Sequence, residues 1–346
     1  MQKPLVEVAR GNASVRQPIW FLRQAGRYLP EYMQVRRNVE FTELCKTPKL
    51  AAEVTLQPLS RYDLDAAIIF SDILIPPMVM GQNLTFGKGH GPILKEPIRT
   101  FSDLKRLRHP KVEDELGFVG EAIELTKQGL KPYQTMIGFA GAPFTVASYM
   151  IEGGGSKTYT EVKSMLFRQP EVFKALIELL SDVTIDYLIM QVKAGADCLM
   201  LFDTWANQLS AQDYRSLIFP QLNRIITSVK QRCDVPVIYY PGQGLDLYFE
   251  LSGFNGDVIA VDWRTPLDRA VGLLDQMKLN VSVQGNLDPQ VLIADEAFVR
   301  HKTRQVLDAA KYARGHIFNV GHGLQPHINP EAIHWVIDEV RTYKKA

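Results

Sequence analysis

The chain has 346 residues, of which 46% are hydrophobic and 22% charged, and a net charge of +1. That length suits one large α/β barrel or two smaller domains. The balanced charge excludes global steering toward nucleic acid or an anionic membrane, so an anion site must be a local cluster. Cys45, Cys198 and Cys233 are scattered, with no C-x-x-C pair. A disulfide framework or zinc knuckle is therefore not expected, and a reducing compartment is. The first residues hold no apolar signal core, and no apolar run approaches the ~18 residues that span a bilayer. The expectation is a soluble, cytoplasmic protein.

In chain order, the first apolar run, 19–22, ends abruptly in Arg23 and Arg27, with Gly26 between them and Pro30 closing the segment. Guanidinium is always charged and offers a planar fork that matches carboxylate or phosphate. A lone R-x-x-x-R is more often a solvated surface turn. Seven further runs of strand length follow, at 66–70, 135–139, 198–202, 236–240, 258–261, 280–283 and 316–320. Most are continuously apolar, as strands buried on both faces are. Helical patterns lie between them at 48–62, 114–128, 171–194, 211–231, 266–277, 289–313 and 330–343. In 171–194 a wide apolar stripe runs from Val172 to Val192, with Pro170 before it and Gly195 after it. After the second strand, the glycine-punctuated stretch from Gly81 to Gly89 reads as a hairpin insertion, and a polar stretch follows near 103–115. Strand alternating with helix eight times predicts a single (β/α)8 TIM barrel over residues 1–346.

Chemistry in such barrels sits at the C-terminal ends of the strands. Those ends read Arg23, Asp72, Gly141-Ala-Pro143, Asp203-Thr204, Gly242-Gln-Gly244, Asp262-Trp263, Asn286 to Asp288 and Gly321-His-Gly323. Asp72 follows an apolar run, where a carboxylate needs partners. It serves either as a helix cap or ion-pair member, or as an acceptor for ligand N–H groups and a counter-charge to a developing cation. His322 is either a hydrogen-bonded loop residue or a ligand contact, and its flanking glycines allow close backbone approach. Tyr149 is either a core aromatic or a phenol donor to a carboxylate. The triple glycine 153–155 follows no strand and lacks a phosphate-loop pattern, so it reads as a flexible rim loop. No G-x-G-x-x-G follows the first strand, which removes a dinucleotide reading.

Six motifs together resemble the uroporphyrinogen decarboxylase family. They are Arg23-Gln-Ala-Gly-Arg-Tyr-Leu-Pro-Glu, Phe70-Ser-Asp-Ile-Leu, Gly138-Phe-Ala-Gly-Ala-Pro-Phe-Thr, Tyr149-Met-Ile-Glu-Gly-Gly-Gly-Ser, Gln284-Gly-Asn-Leu-Asp-Pro and Asn319-Val-Gly-His-Gly-Leu. The resemblance runs essentially end to end. It departs after the histidine motif, where Gln325-Pro-His327 replaces the usual Pro-Asp. It implies a (β/α)8 barrel, usually a homodimer, that needs no cofactor and no metal. The implied reaction removes CO2 from all four acetate side chains of uroporphyrinogen, leaving methyl groups in coproporphyrinogen.

By the same resemblance, Asp72 gathers the pyrrole N–H groups and stabilises a cation, while Arg23 and Arg27 hold substrate carboxylates. The backbone of Gln24, Ala25 and Gly26 adds donors, Tyr149, Thr204 and His322 orient propionates or acetates, and Phe139 offers an apolar wall. Arg23 is also a candidate proton donor, although its high intrinsic pKa leaves a bound water or a substrate carboxyl as alternatives. Two rivals remain. A zinc-thiolate methyltransferase needs His-x-Cys after a strand, and the corresponding Val237-Ile-Tyr-Tyr-Pro-Gly242 has no cysteine. A non-catalytic tetrapyrrole carrier would use the same binding residues without needing Asp72 at the cation position.

Overall fold

The computed structural model describes residues 2–87 and 91–344. Nine strands form: β1 Ala66–Ile68, β2 Leu84–Phe86, β3 Pro92–Leu94, β4 Thr135–Gly141, β5 Cys198–Phe202, β6 Val237–Tyr240, β7 Val258–Ala260, β8 Ser282–Leu287 and β9 His316–Val320. Seven of them make one sheet in the order β1-β4-β5-β6-β7-β8-β9. Every pairing in it is parallel, for example Ile137 to Cys198 and Val283 to His316. The α/β architecture expected from the alternation of strand and helix is therefore present. β2 and β3 pair antiparallel beside it, with Leu84 opposite Leu94. Lys88 and Gly89 of the expected hairpin lie outside the described residues.

The first predicted strand is not a strand. Residues 19–22 contribute one bridging residue, Ile19, opposite Phe318. The segment nonetheless joins the two edges of the sheet. Phe318 N–H donates to Pro18 O at 2.8 Å, Trp20 N–H to Phe318 O at 3.3 Å, and Asp65 N–H to Ile19 O at 2.9 Å. Side chains take the donors that a ladder would have used. Ile19 N–H goes to Asp65 Oδ2, Phe21 N–H to Gln24 Oε1 and Leu22 N–H to Asn319 Oδ1, at 2.8, 3.1 and 2.9 Å. Buried backbone groups must be paired, and here the side chains of Asp65, Gln24 and Asn319 pair them.

Other elements also differ from the expectation. The predicted strand 280–283 becomes β8, which runs on through Gln284 and Asn286. Inside the sheet Gln284 Oε1 accepts from Trp20 Nε1–H, and Asn286 Nδ2–H donates to the carbonyls of Asp262 and Thr265. Helix 289–313 breaks before Asp295, whose carboxylate caps the helix Glu296–Ala309 by accepting from Phe298 N–H at 2.9 Å. Helix 211–231 contains a π turn at Tyr214–Ile218. The long helix Pro170–Lys193 starts on its proline and is followed by Gly195 at φ +109°, as its flanking residues indicate. The seven strands of the parallel sheet are almost wholly buried under these helices. No helix among the described residues is long and apolar enough to cross a membrane.

Candidate active site

A cavity of about 1060 Å³ opens over the C-terminal ends of the parallel strands. Arg23, Ala25, Gly26 and Arg27 reach it from the loop after the Ile19 bridge, Asp72 from the turn after β1, and Phe139 from β4. Tyr149 enters from the helix Pro143–Glu152, Thr204 from the turn after β5, and His322 from the turn after β9. Residues far apart in the chain therefore converge because strand ends share one face. Gln24 does not line the cavity. Its side chain is buried, donates to Ala66 O at 3.0 Å and holds Phe21 N–H, and its own N–H donates to Phe21 O. The N–H groups of Ala25 and Gly26 have no protein acceptor among the described residues.

The loop is held in place by close backbone packing. Arg23 sits at φ +61°, a left-handed conformation that costs a side-chain-bearing residue free energy and is found where function demands it. Gly323 lies against it; a Cβ there would stand 2.4 Å from Arg23 Cδ. Gly321 is the more firmly constrained, since its Cβ would meet the backbone of Trp263, with N at 2.1 Å, whereas the contact at Gly323 is with the Arg23 side chain. Close backbone approach thus requires glycine at 321.

Charge in the cavity is unevenly satisfied. Among the described residues Arg23, Arg27 and Arg37 form no ion pair and no side-chain hydrogen bond, although the surface elsewhere is rich in both. Arg36 lines the same mouth. Asp72 Oδ1 accepts from Leu74 N–H at 2.8 Å, and no group among the described residues donates to the other oxygen. Burial raises the Asp72 pKa above the ordinary carboxylate range, against the pull of the Leu74 N–H and of Arg23. Burial and then the Arg23 charge lower the His322 pKa, so this imidazole is neutral near pH 7 and acts as a hydrogen-bonding group, not a cation. Burial likewise raises the Tyr149 phenol and keeps it protonated.

The opposite wall is aromatic. Phe139 meets Phe202 edge-on at 5.6 Å, Phe202 meets Tyr240 at 6.5 Å, and Tyr149 lies 6.3 Å from Trp205. The arrangement suits a ligand with a flat apolar body and several anionic arms.

The uroporphyrinogen decarboxylase family model matches residues 1–343. The chain belongs to the uroporphyrinogen decarboxylase family. It is 43% identical to a uroporphyrinogen decarboxylase of Geotalea daltonii over 97% of each chain. It is 41% identical to that of Pelobacter propionicus over the full length of both, and 43% to that of Myxococcus xanthus over 99% of this chain and 97% of the other. As a member of this family it is a carboxy-lyase of porphyrin biosynthesis. A solved methyltransferase from Methanosarcina mazei superposes with a TM-score of 0.79 over 97% of each chain, at 14% identity. A B12-independent methionine synthase from Shewanella sp. W3-18-1 gives 0.55 at 12% identity, over 95% of this chain and 94% of the other. At such identities the likeness shows the fold alone, a TIM-barrel-type α/β architecture.

The six motifs hold the loop arginines, Asp72, Phe139, Tyr149 and His322, and Thr204 stands out as a strand end. The motifs do not contain Arg37, Trp205 or Tyr240, and Thr145, which closes one of them, carries no expected role; all four also line the cavity. Arg36-Arg37, a dibasic pair just beyond the arginine motif, was the available signal for the first. The aromatic residues sit in stretches that read equally well as core.

The raised Asp72 pKa carries a stability consequence. The unfolded carboxyl ionises at its ordinary pKa and the folded one higher. Between the two values the folded state holds more protons, so stability falls as pH rises through that window and stays lower above it. Asp72→Asn removes this penalty. Its thermal midpoint should exceed the wild-type value at pH 7 to 8, with the difference shrinking as pH falls through the raised pKa toward the ordinary aspartate value. A pH series of melting curves on both proteins checks this, and a constant difference would assign the effect to something other than ionisation.

Proposed function

We propose that the cavity holds uroporphyrinogen with its macrocycle against the aromatic wall, its pyrrole N–H groups toward Asp72 and its carboxylates toward Arg23, Arg27 and Arg37. The observation that carries this reading is the set of unpaired guanidiniums facing a carboxylate that has one oxygen free of protein donors. The free N–H groups of Ala25 and Gly26 add carboxylate donors, as do Tyr149, Thr204 and neutral His322.

An acetate on a pyrrole loses CO2 once the ring can take up its electron pair. Protonation of the ring carbon next to the one bearing the acetate creates a cationic pyrrolinium. The C–CO2 bond then breaks, its electrons form an exocyclic C=C and neutralise the ring, and the exocyclic carbon gains a proton while the protonated ring carbon gives its proton up and the ring regains aromaticity. Each round replaces one carboxylate by one proton, and four rounds give coproporphyrinogen. The substrate carries its own electron sink, so the protein's tasks are to bind carboxylates, stabilise the cation through Asp72, and exclude bulk water. The proton comes from a bound water or a substrate carboxyl in preference to Arg23, whose intrinsic pKa is far too high for efficient donation.

Anaerobic incubation with uroporphyrinogen should yield coproporphyrinogen and CO2 with no added metal or organic cofactor, and the rate should survive exhaustive treatment with a chelator. Loss of activity on chelation, restored by zinc, would sink the cofactor-free reading. We also propose that the enzyme is a homodimer. Light scattering should give twice the chain mass of 39.1 kDa, and a monomeric mass at micromolar concentration would reject it.

A further inference from the structure

Beneath the aromatic wall lies a carboxylate that the mechanism above does not use. Asp203 follows β5, is fully buried, and forms no ion pair among the described residues. A buried anion without a cation is costly, and burial pushes its pKa up to about 6. It is kept by donors alone. Thr145 donates to Oδ1 twice, through Oγ1–H at 2.7 Å and N–H at 3.2 Å, and Tyr239 O–H donates to Oδ2 at 3.0 Å. Tyr239 is in turn 2.9 Å from the hydroxyl of Tyr214, which begins the π turn Tyr214–Ile218. On the cavity side, Thr145 Oγ1 also accepts from Trp205 N–H at 3.1 Å.

The chain of bonds ties three parts of the site together. Thr145 lies in the first turn of the helix that carries Tyr149 one turn later. Trp205 is adjacent to Thr204, and its ring lies 6.3 Å from that of Tyr149. Phe202 and Thr204 flank Asp203 itself, and Thr145, Tyr149, Phe202, Thr204 and Trp205 all line the cavity. A fold-stabilising role alone would be served better by an apolar residue of similar volume, because a buried charge costs more than its bonds return. Two loops that must meet at a fixed angle are, by contrast, well served by one acceptor with two oxygens.

We propose that Asp203 is a positioning residue for the decarboxylation, which acts through Thr145 and Trp205 to hold Tyr149 and Thr204 against the substrate. The inference rests on the cavity being the reaction site. Its mark is an asymmetry between the two oxygens. The bond from Thr145 faces the site, and the bond from Tyr239 faces the core.

The test is steady-state kinetics beside melting curves for Thr145→Val, Thr145→Ser and Tyr239→Phe. Thr145→Val removes the hydroxyl at near-constant shape and should lower kcat/KM about 10- to 100-fold, the range expected for a lost charge-assisted hydrogen bond. Thr145→Ser keeps the hydroxyl and should stay within about threefold of wild type. Tyr239→Phe strips the same carboxylate of its other donor; it should lower the melting temperature yet leave kcat/KM within about threefold. If the valine variant does not fold, Thr145→Ala, which places no methyl against the carboxylate, should show the same loss. Wild-type kinetics in the valine or alanine variant would overturn the proposal. So would a loss in Tyr239→Phe as large as that in Thr145→Val, since Asp203 would then be a structural anchor only. Asp72→Ala, which removes both the charge and the acceptor, separates the two levels in the same assay. If it too is fully active, the cavity reading has failed, whereas an impaired Asp72→Ala beside an active Thr145→Val rejects only the positioning role.

Discussion

Asp72→Asn should bind the tetrapyrrole and turn it over about 10²–10³-fold more slowly, the usual effect of removing one preorganised electrostatic partner from a developing charge. The amide has nearly the shape of the carboxylate and keeps an oxygen for pyrrole N–H groups. It also retains an acceptor for Leu74 N–H, which Asp72 Oδ1 holds at 2.8 Å. What it loses is the negative charge opposite the pyrrolinium. The predicted loss therefore falls on kcat at saturating substrate, with product affinity little changed. Asp72→Glu should also be poor, because the extra methylene displaces the carboxylate while keeping its charge. Near wild-type turnover in the Asn variant would leave Asp72 as an acceptor only and move cation stabilisation to a substrate carboxylate.

Arg27→Ala should act on the other kinetic parameter. Arg27 lies at the cavity mouth with no protein partner among the described residues, so its removal leaves no buried charge behind and should not disturb the fold. A charge-assisted contact to a substrate carboxylate contributes about 1.5–3 kcal/mol, or roughly 10- to 100-fold in kcat/KM. Most of that should appear as a raised KM, because carboxylates remote from the reacting ring are bound equally in ground and transition states. Arg27→Lys should recover part of the loss, since the charge returns without the bidentate fork. Raising the ionic strength should weaken wild-type binding more than that of Arg27→Ala, which separates charge from shape. Unchanged efficiency in Arg27→Ala would place this arginine outside the site.

Much of this enzyme was legible before any coordinates. Buried parallel strands leave continuous apolar runs, and β5 and β9 fall where those runs lie, at Cys198–Phe202 and His316–Val320. Reading failed where polarity and strand coincide. β8 passes through Gln284 and Asn286, and hydrophobicity alone ends it early. The run 19–22 is apolar enough for a strand, but side-chain acceptors distant in sequence replace its ladder, and no local pattern announces that. For the site, motifs supplied residues whose chemistry is unusual in place, such as arginines after an apolar run. Trp205 and Tyr240 stayed hidden because an aromatic lining a cavity and one filling a core share the same neighbours in sequence. Asp203 was visible as a polar strand end. Its bonds to Thr145 and Tyr239, 58 and 36 residues away, were not.

The manner in which residues 19–22 are secured bears on how substitutions in this protein should be interpreted. Asp65, Gln24 and Asn319 never touch the cavity, yet their side-chain oxygens suspend the loop that carries two arginines. In a saturation-mutagenesis screen scored by growth, these three positions should look as intolerant as Arg23 itself. Intolerance there would reflect the tethering of an arginine-bearing loop by side chains that lie outside the cavity, so the positions that govern the cavity extend beyond the residues that line it.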